Sequence, residues 1–112
     1  MGFIKPSNEV VFADERIREA WIKVNETDLE LAKQLLKAKQ DILENAFCGI
    51  QIQKGLIPKE YFQKFGINNL WKYNLSNAWR LLYSITTPSK VEIISVVLDW
   101  MSHKDYENLF GY

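Results

Sequence analysis

Apolar residues recur with two different periods along this chain, and the change of period divides it. Asn8-Glu9-Val10-Val11-Phe12-Ala13 is a β-branched and aromatic run, which predicts a short strand. Asp14 and Glu15 follow, acidic residues suited to the first turn of a helix. Ile17, Ala20, Trp21 and Val24 then fall at i, i+3, i+4 and i+7, the stripe of an amphipathic helix whose Arg16, Arg18, Glu19 and Lys23 stay in water. Thr27-Asp28-Leu29-Glu30 has the capping-box form, so a second helix is expected to start there after an Asn25-Glu26 link. Leu29, Ala32, Leu35, Leu36, Ile42, Leu43, Ala46 and Phe47 mark its expected buried face, and Cys48-Gly49 its stop. The two helices, about residues 14–48, form an antiparallel hairpin.

Residues 50–69 read as an irregular insert. Ile50-Gln51-Ile52-Gln53 alternates like a short strand, Lys54-Gly55 breaks it, and Pro58 opens a brief helix through Phe65 that Gly66 closes. From Leu70 the period becomes two. Leu70–Leu75, Trp79–Ile85 and Val91–Trp100 predict three consecutive antiparallel strands, separated by Ser76-Asn77-Ala78 and Thr86–Lys90. Val91–Trp100 is apolar on both parities, as in a central strand covered on both faces. The expected fold is therefore α+β: an N-terminal strand, an antiparallel two-helix hairpin, and a three-stranded meander completing a mostly antiparallel sheet.

Composition narrows the class. A chain of 112 residues, 47% hydrophobic and 25% charged, suits one ordinary globular domain over residues 1–112. No apolar run is long enough to cross a bilayer, and Met1-Gly2-Phe3-Ile4-Lys5-Pro6 is unlike a signal peptide, so the expected location is the cytoplasm, with no membrane association. One cysteine, Cys48, and one histidine, His103, argue against a structural metal, and no cofactor is expected. Cys48 reads as a small packing residue. Net charge is zero, which argues against a protein that simply coats nucleic acid. The charge is uneven, however: net −2 over residues 1–50 and net +4 over residues 51–104, so an anion-binding surface is sought in the second half.

Three stretches resemble the RelE/ParE superfamily of bacterial and archaeal toxins. Val10-Val11-Phe12-Ala13-Asp14-Glu15 is similar to its opening strand and first helix. Asn77-Ala78-Trp79-Arg80-Leu81-Leu82-Tyr83-Ser84-Ile85 resembles its signature strand, in which Arg is followed by two aliphatics and then Tyr. Val91–Leu98 with His103-Lys104-Asp105-Tyr106 is similar to its closing strand and Tyr-containing C-terminal motif. The likeness covers nearly the whole chain, although residues 54–71 have no counterpart in compact members. It implies the toxin of a type II toxin-antitoxin system: a metal-independent endoribonuclease that inhibits translation by cleaving mRNA at the ribosome, leaves a 2′,3′-cyclic phosphate, and is held by a cognate antitoxin. A homo-oligomer is also compatible. The alternatives are a non-catalytic member, as in gyrase-binding ParE-type proteins or inactive relatives, and an unrelated α+β domain with a similar strand pattern.

The implied reaction needs a proton acceptor for a ribose 2′-hydroxyl, a cation for the phosphoryl oxygens, and an acid for the 5′ oxygen. Arg80 fits the cation role, since guanidinium matches phosphate bidentately; otherwise it is a surface arginine paired with Glu92 or Asp99. Strand alternation sets Trp79, Leu81, Tyr83 and Ile85 on the helix-covered face and turns Arg80 to the other. His103 is the natural general acid or base, and Tyr106 matches the family Tyr and could stack on a base or donate to a phosphate; their other readings are a surface histidine and a packed tyrosine in a C-terminal turn. Lys72, Lys104, Lys54, Lys59 and Lys64 are candidate RNA-binding cations, with Tyr61, Phe62, Trp71 and Tyr73 as stacking platforms or core. Lys72 shares strand parity with a groove at Arg80. The nuclease reading requires Arg80, Lys72, His103 and Tyr106 to converge.

Overall fold

The computed structural model describes residues 5–76 and 78–111; Asn77 of the second inter-strand turn and the Met1–Ile4 stretch lie outside the described residues. The fold is α+β, as the patterning implies: β1 (Glu9–Phe12), α1 (Glu15–Thr27), α2 (Leu29–Glu44), β2 (Ile50–Ile52), α3 (Lys59–Phe65), β3 (Leu70–Asn74), β4 (Arg80–Thr86), β5 (Ile94–Met101) and α4 (His103–Phe110). The strands form one mixed sheet in the order β1-β5-β4-β3-β2, antiparallel except for β1 against β5. β5 is thus interior, as its apolar parities predict, although Val91 precedes the strand and is 84% exposed.

The hairpin turns more sharply than the capping box suggests. Asn25 and Glu26 are helical, and Asp28 alone separates the helices. Its backbone N–H donates to Val24 O and closes α1, while its carboxylate accepts from Leu31 N and opens α2. Thr27 instead donates to Lys23 O from within the last turn of α1. Asp, with its rigid short carboxylate, is as good an N-cap as Thr, and using it removes any linker.

α2 carries two apolar stripes, and the structure selects the one at Leu31, Leu35, Ala38 and Ile42. Leu29, Leu36 and Leu43 repeat every seven residues on a side about 100° away and are 69%, 50% and 43% exposed; Phe47 is also exposed. Ala20 is likewise exposed on α1, where Ile17 is buried and Trp21 and Val24 are half-buried. The buried stripes pack with Leu81, Tyr83 and Val97 into a first core, flanked by Val10, Phe12, Trp79, Ile85 and Trp100. Trp21 meets Phe12 and Trp100 at ring centroid distances of 5.1 and 5.5 Å.

Residues 50–69 are regular rather than an irregular insert. β2 adds a fifth strand beside β3, a 3₁₀ turn spans Lys54–Leu56, and α3 is capped by Gly66 in the left-handed region at φ 63°. This segment and α4 cover the opposite sheet face with a second core of Ile52, Ile57, Tyr61, Leu70, Leu82, Leu98 and Tyr106. Arg80 therefore starts a face that is largely closed by helices, not an open one. Ser102 caps α4 by accepting from Asp105 N, and Gly111 ends it at φ 77°. α4 replaces the C-terminal turn that was the other reading of this segment.

Two connections tie the layers. The buried Tyr83 hydroxyl donates to Ala46 O at 2.8 Å and accepts from Gly49 N at 3.0 Å. The Asn69 carboxamide donates to Ile85 O and accepts from Ile85 N, standing in for a strand backbone. A β-bulge sets Leu82 opposite Asp99 and Tyr83 opposite Val97, leaving Leu98 as the extra residue. Among the described residues, no helix is long and apolar enough to cross a membrane.

Candidate functional site

Arg80 begins β4, where the strand leaves the Ala78 turn, and stands beside Asn74 of β3 and Met101 of β5. Its guanidinium Nη1 donates to Ala78 O at 2.7 Å and to Trp79 O at 3.3 Å, which anchors the side chain over its own turn. Its Nη2 approaches His103 Nδ1 at 3.3 Å in a solvent-exposed contact. Its Nε is buried without a hydrogen-bond partner. No carboxylate of the described residues forms an ion pair with Arg80, so the alternative pairing with Glu92 or Asp99 is not made.

β5 ends at Met101, opposite Arg80, and the cap at Ser102 starts α4 at this end of β4. His103 is the first residue of α4 and remains exposed. Its Nε2 meets Glu107 Oε1 at 2.9 Å across one helical turn. Tyr106, on the inward side of α4, is only 4% exposed. Its ring carries two cations: Arg80 Cζ lies 5.5 Å and Lys72 Nζ 5.2 Å from the centroid. The ring is a support beneath the charges and is too deeply buried to offer a face to an incoming base. Cation–π contact of this kind is worth about 0.5–2 kcal/mol and tolerates the guanidinium facing water.

Lys72, half-buried on β3, reaches this group because its parity matches that of Arg80. Arg80 and Lys72 therefore share the Tyr106 ring and Arg80 also touches His103, with Glu107 as a further neighbour of the histidine. The Ser102–Asp105 stretch held a signal for it: Ser102 and Asp105 have capping-box spacing, and in the helix they announce, His103 and Glu107 share a face.

The other candidate cations lie apart. Lys54 and Lys59 are exposed at the 3₁₀ turn and the start of α3, and Lys104 is exposed on α4. Lys64 sits 5.4 Å from the Phe65 ring and lines a cavity of about 380 Å³ with Ser84 and Leu98. The proposed stacking aromatics are structural. Tyr61 packs edge-on to Phe65 in the second core, Trp71 stacks between Phe47 and Tyr83, and Tyr73 donates its hydroxyl to Asp41. Phe62 packs against the second core. Cys48 is exposed rather than a packing residue.

Electrostatically the group has two cations, one histidine and one carboxylate. Burial pushes the Asp99 carboxyl up from its ordinary range, against the N–H of Trp100 and the charge of Arg16, which lower it. No cluster of three or more His, Cys, Asp or Glu able to hold a metal ion occurs among the described residues. The arrangement can hold an anion on Arg80 and Lys72 while an imidazole nitrogen stands next to it. No known protein family, curated protein or solved structure matches this chain.

Proposed function

We propose that this chain is a RelE/ParE-like toxin of a type II toxin-antitoxin system, a cytoplasmic endoribonuclease that inhibits translation by cutting mRNA at the ribosome without a cofactor. The observation that carries this reading is the convergence of Arg80, Lys72 and His103 over Tyr106, with neither cation neutralised by a carboxylate among the described residues. Two such cations fit a phosphodiester, and guanidinium supplies the planar, paired donors that match two phosphate oxygens. In the reaction the ribose 2′ oxygen attacks phosphorus, the P–O5′ bond breaks, and a 2′,3′-cyclic phosphate and a 5′-hydroxyl remain. His103 accepts the 2′ proton, solvent water at this exposed site protonates the departing 5′ oxygen, Arg80 and Lys72 carry the charge that grows on the phosphoryl oxygens, and Tyr106 holds both cations in place. Of the remaining lysines, Lys104 is on the same helix as His103 and is assigned to the flanking RNA backbone.

A non-catalytic interaction module is favoured by a different observation. The exposed line of Leu29, Leu36 and Leu43 is the kind of apolar surface that meets a protein partner, and the chain has no net charge to draw in RNA.

Induced expression separates the two. Wild type is expected to arrest growth and leave new mRNA 5′ ends, and Arg80→Ala and His103→Ala to lower cleavage by roughly 10²-fold or more. Equal arrest by all three proteins removes the catalytic roles. Absence of arrest with soluble wild type selects the interaction module.

A further inference from the structure

His103 touches two side chains of opposite and fixed hydrogen-bonding character. A guanidinium can only donate and an ionised carboxylate can only accept. Arg80 Nη2 lies 3.3 Å from Nδ1, and Glu107 Oε1 lies 2.9 Å from Nε2. A neutral imidazole satisfies both neighbours in one way: the proton sits on Nε2 and points to Glu107, and the Nδ1 lone pair faces Arg80. We infer that Glu107 is a positioning residue that fixes the tautomer and ring orientation of His103, so that an unprotonated Nδ1 faces the anion held by Arg80. This rests on the RNA-cleaving reading of the same site and names the residue that completes it.

The geometry gives the pair a sequence of actions. When a phosphodiester takes the guanidinium donors, Arg80 Nη2 leaves Nδ1, whose lone pair is then free for the 2′-hydroxyl proton. The proton moves from the 2′ oxygen to Nδ1, and the imidazolium that forms keeps its Nε2–H on the Glu107 carboxylate. Glu107 itself takes no proton and touches neither the substrate nor the reacting atoms, as with the orienting acid of other histidine bases. The substrate class follows: a ribose with a free 2′-hydroxyl next to the bound phosphate, with a 2′-deoxy sugar at that position bound but uncut.

A merely structural role is separable from this one. The His103 and Glu107 side chains are 52% and 43% exposed, and an exposed pair of this kind adds little to stability. His103 is the only histidine in the chain, so its ring gives one unambiguous set of ¹⁵N signals. In ¹⁵N-labelled wild type at a pH where the ring is neutral, long-range ¹H–¹⁵N correlation is expected to show the proton on Nε2. Glu107→Gln keeps an acceptor oxygen and is expected to keep that spectrum. In an Arg80→Ala background, where Glu107 alone is left to set the tautomer, Glu107→Leu is expected to bring the two averaged nitrogen shifts toward each other, and in the wild-type background to leave the melting temperature unchanged. On an RNA substrate, Glu107→Leu is expected to cleave about 10–100-fold more slowly, and Glu107→Gln to recover most of the rate. A wild-type ring protonated on Nδ1, or nitrogen shifts that Glu107→Leu leaves unmoved in the Arg80→Ala background, overturns the assignment. If wild type cuts no RNA, the nuclease reading fails by itself, and the ring spectra alone still decide what Glu107 does.

Discussion

A single added methyl group at Gly49 tests how β2 is locked to β3. A Cβ built there lies 2.6 Å from Lys72 O, 2.7 Å from the Tyr83 hydroxyl and 2.9 Å from Tyr83 Cε1, whereas ordinary contact begins near 3.4 Å. Neither neighbour can retreat. Lys72 O is backbone in the middle of β3, which is paired on both sides, and the Tyr83 ring is fully buried with its hydroxyl bonded to Ala46 O and Gly49 N. The strain must be relieved by moving the Cys48–Ile50 segment outward, which breaks the Gly49–Tyr83 bond and pulls at the three-residue pairing of β2. Overpacking of this kind costs about 1–3 kcal/mol and the lost hydrogen bond about 1 kcal/mol. Gly49→Ala is therefore expected to lose roughly 2–4 kcal/mol in urea denaturation, with a melting temperature lower by on the order of 10 °C. Hydrogen exchange should quicken first at Ile50–Ile52. A variant within about 0.5 kcal/mol of wild type, with an unchanged denaturant slope, would refute the claim that β2 is locked to β3 through this contact.

Two further outcomes follow from the hairpin and from the buried tyrosines. Asp28→Ala removes the only side-chain cap of α2 and should cost about 1 kcal/mol, whereas Thr27→Ala should cost a few tenths; chemical denaturation of both distinguishes the Asp28 cap from the Thr27 box. Burial raises the Tyr61, Tyr73 and Tyr83 phenols well above their usual range, and for Tyr73 the adjacent Asp41 carboxylate adds to the effect. A raised folded-state pKa contributes stability that is whole below the unfolded value near 10 and is lost as pH rises beyond it, by about 1.4 kcal/mol per pH unit for each buried phenol. Site-resolved alkaline titration should therefore show Tyr61, Tyr73 and Tyr83 ionising together with the loss of ellipticity in one transition above pH ~10, and any of these three forming phenolate in a still-folded protein would contradict the burial.

The elements were legible where local chemistry decides them. Pro58 and Gly66 bracket α3 because one pre-sets a helical entry and the other accepts a left-handed exit; β4 follows from alternation, and β5 from apolar residues on both parities. The side of α2 that is buried was not legible, since Leu29/Leu36/Leu43 and Leu31/Leu35/Ala38/Ile42 are both apolar stripes and only the sheet chooses between them. The second core was hidden for a related reason. Leu82 and Ser84 share a parity with Arg80, so that face reads as half polar until α3 and α4 are laid on it. In the candidate site, Arg80, Lys72, His103 and Tyr106 could be named residue by residue. Their meeting could not, because it depends on α4 returning over the end of β4, and the burial that makes Tyr106 a support under two cations is a tertiary property.

That return traces to one unpaired residue. Because Leu98 is extra in β5, the phase of the strand changes there by half a period: Val97 faces the hairpin, Leu98 and Asp99 both face away, and Trp100 faces the hairpin again. The shift lets Trp100 complete the aromatic group at Trp21 while Met101 lies beside Arg80. Bulges bend the strand that carries them and raise its twist, and here the bent strand is the one that delivers Ser102 and the first turn of α4. The address of His103 is thus written in the counting of β5 rather than in the motif that contains the histidine. A strand of the same composition but regular phase would send that first turn toward the other layer, leaving Arg80 without an imidazole.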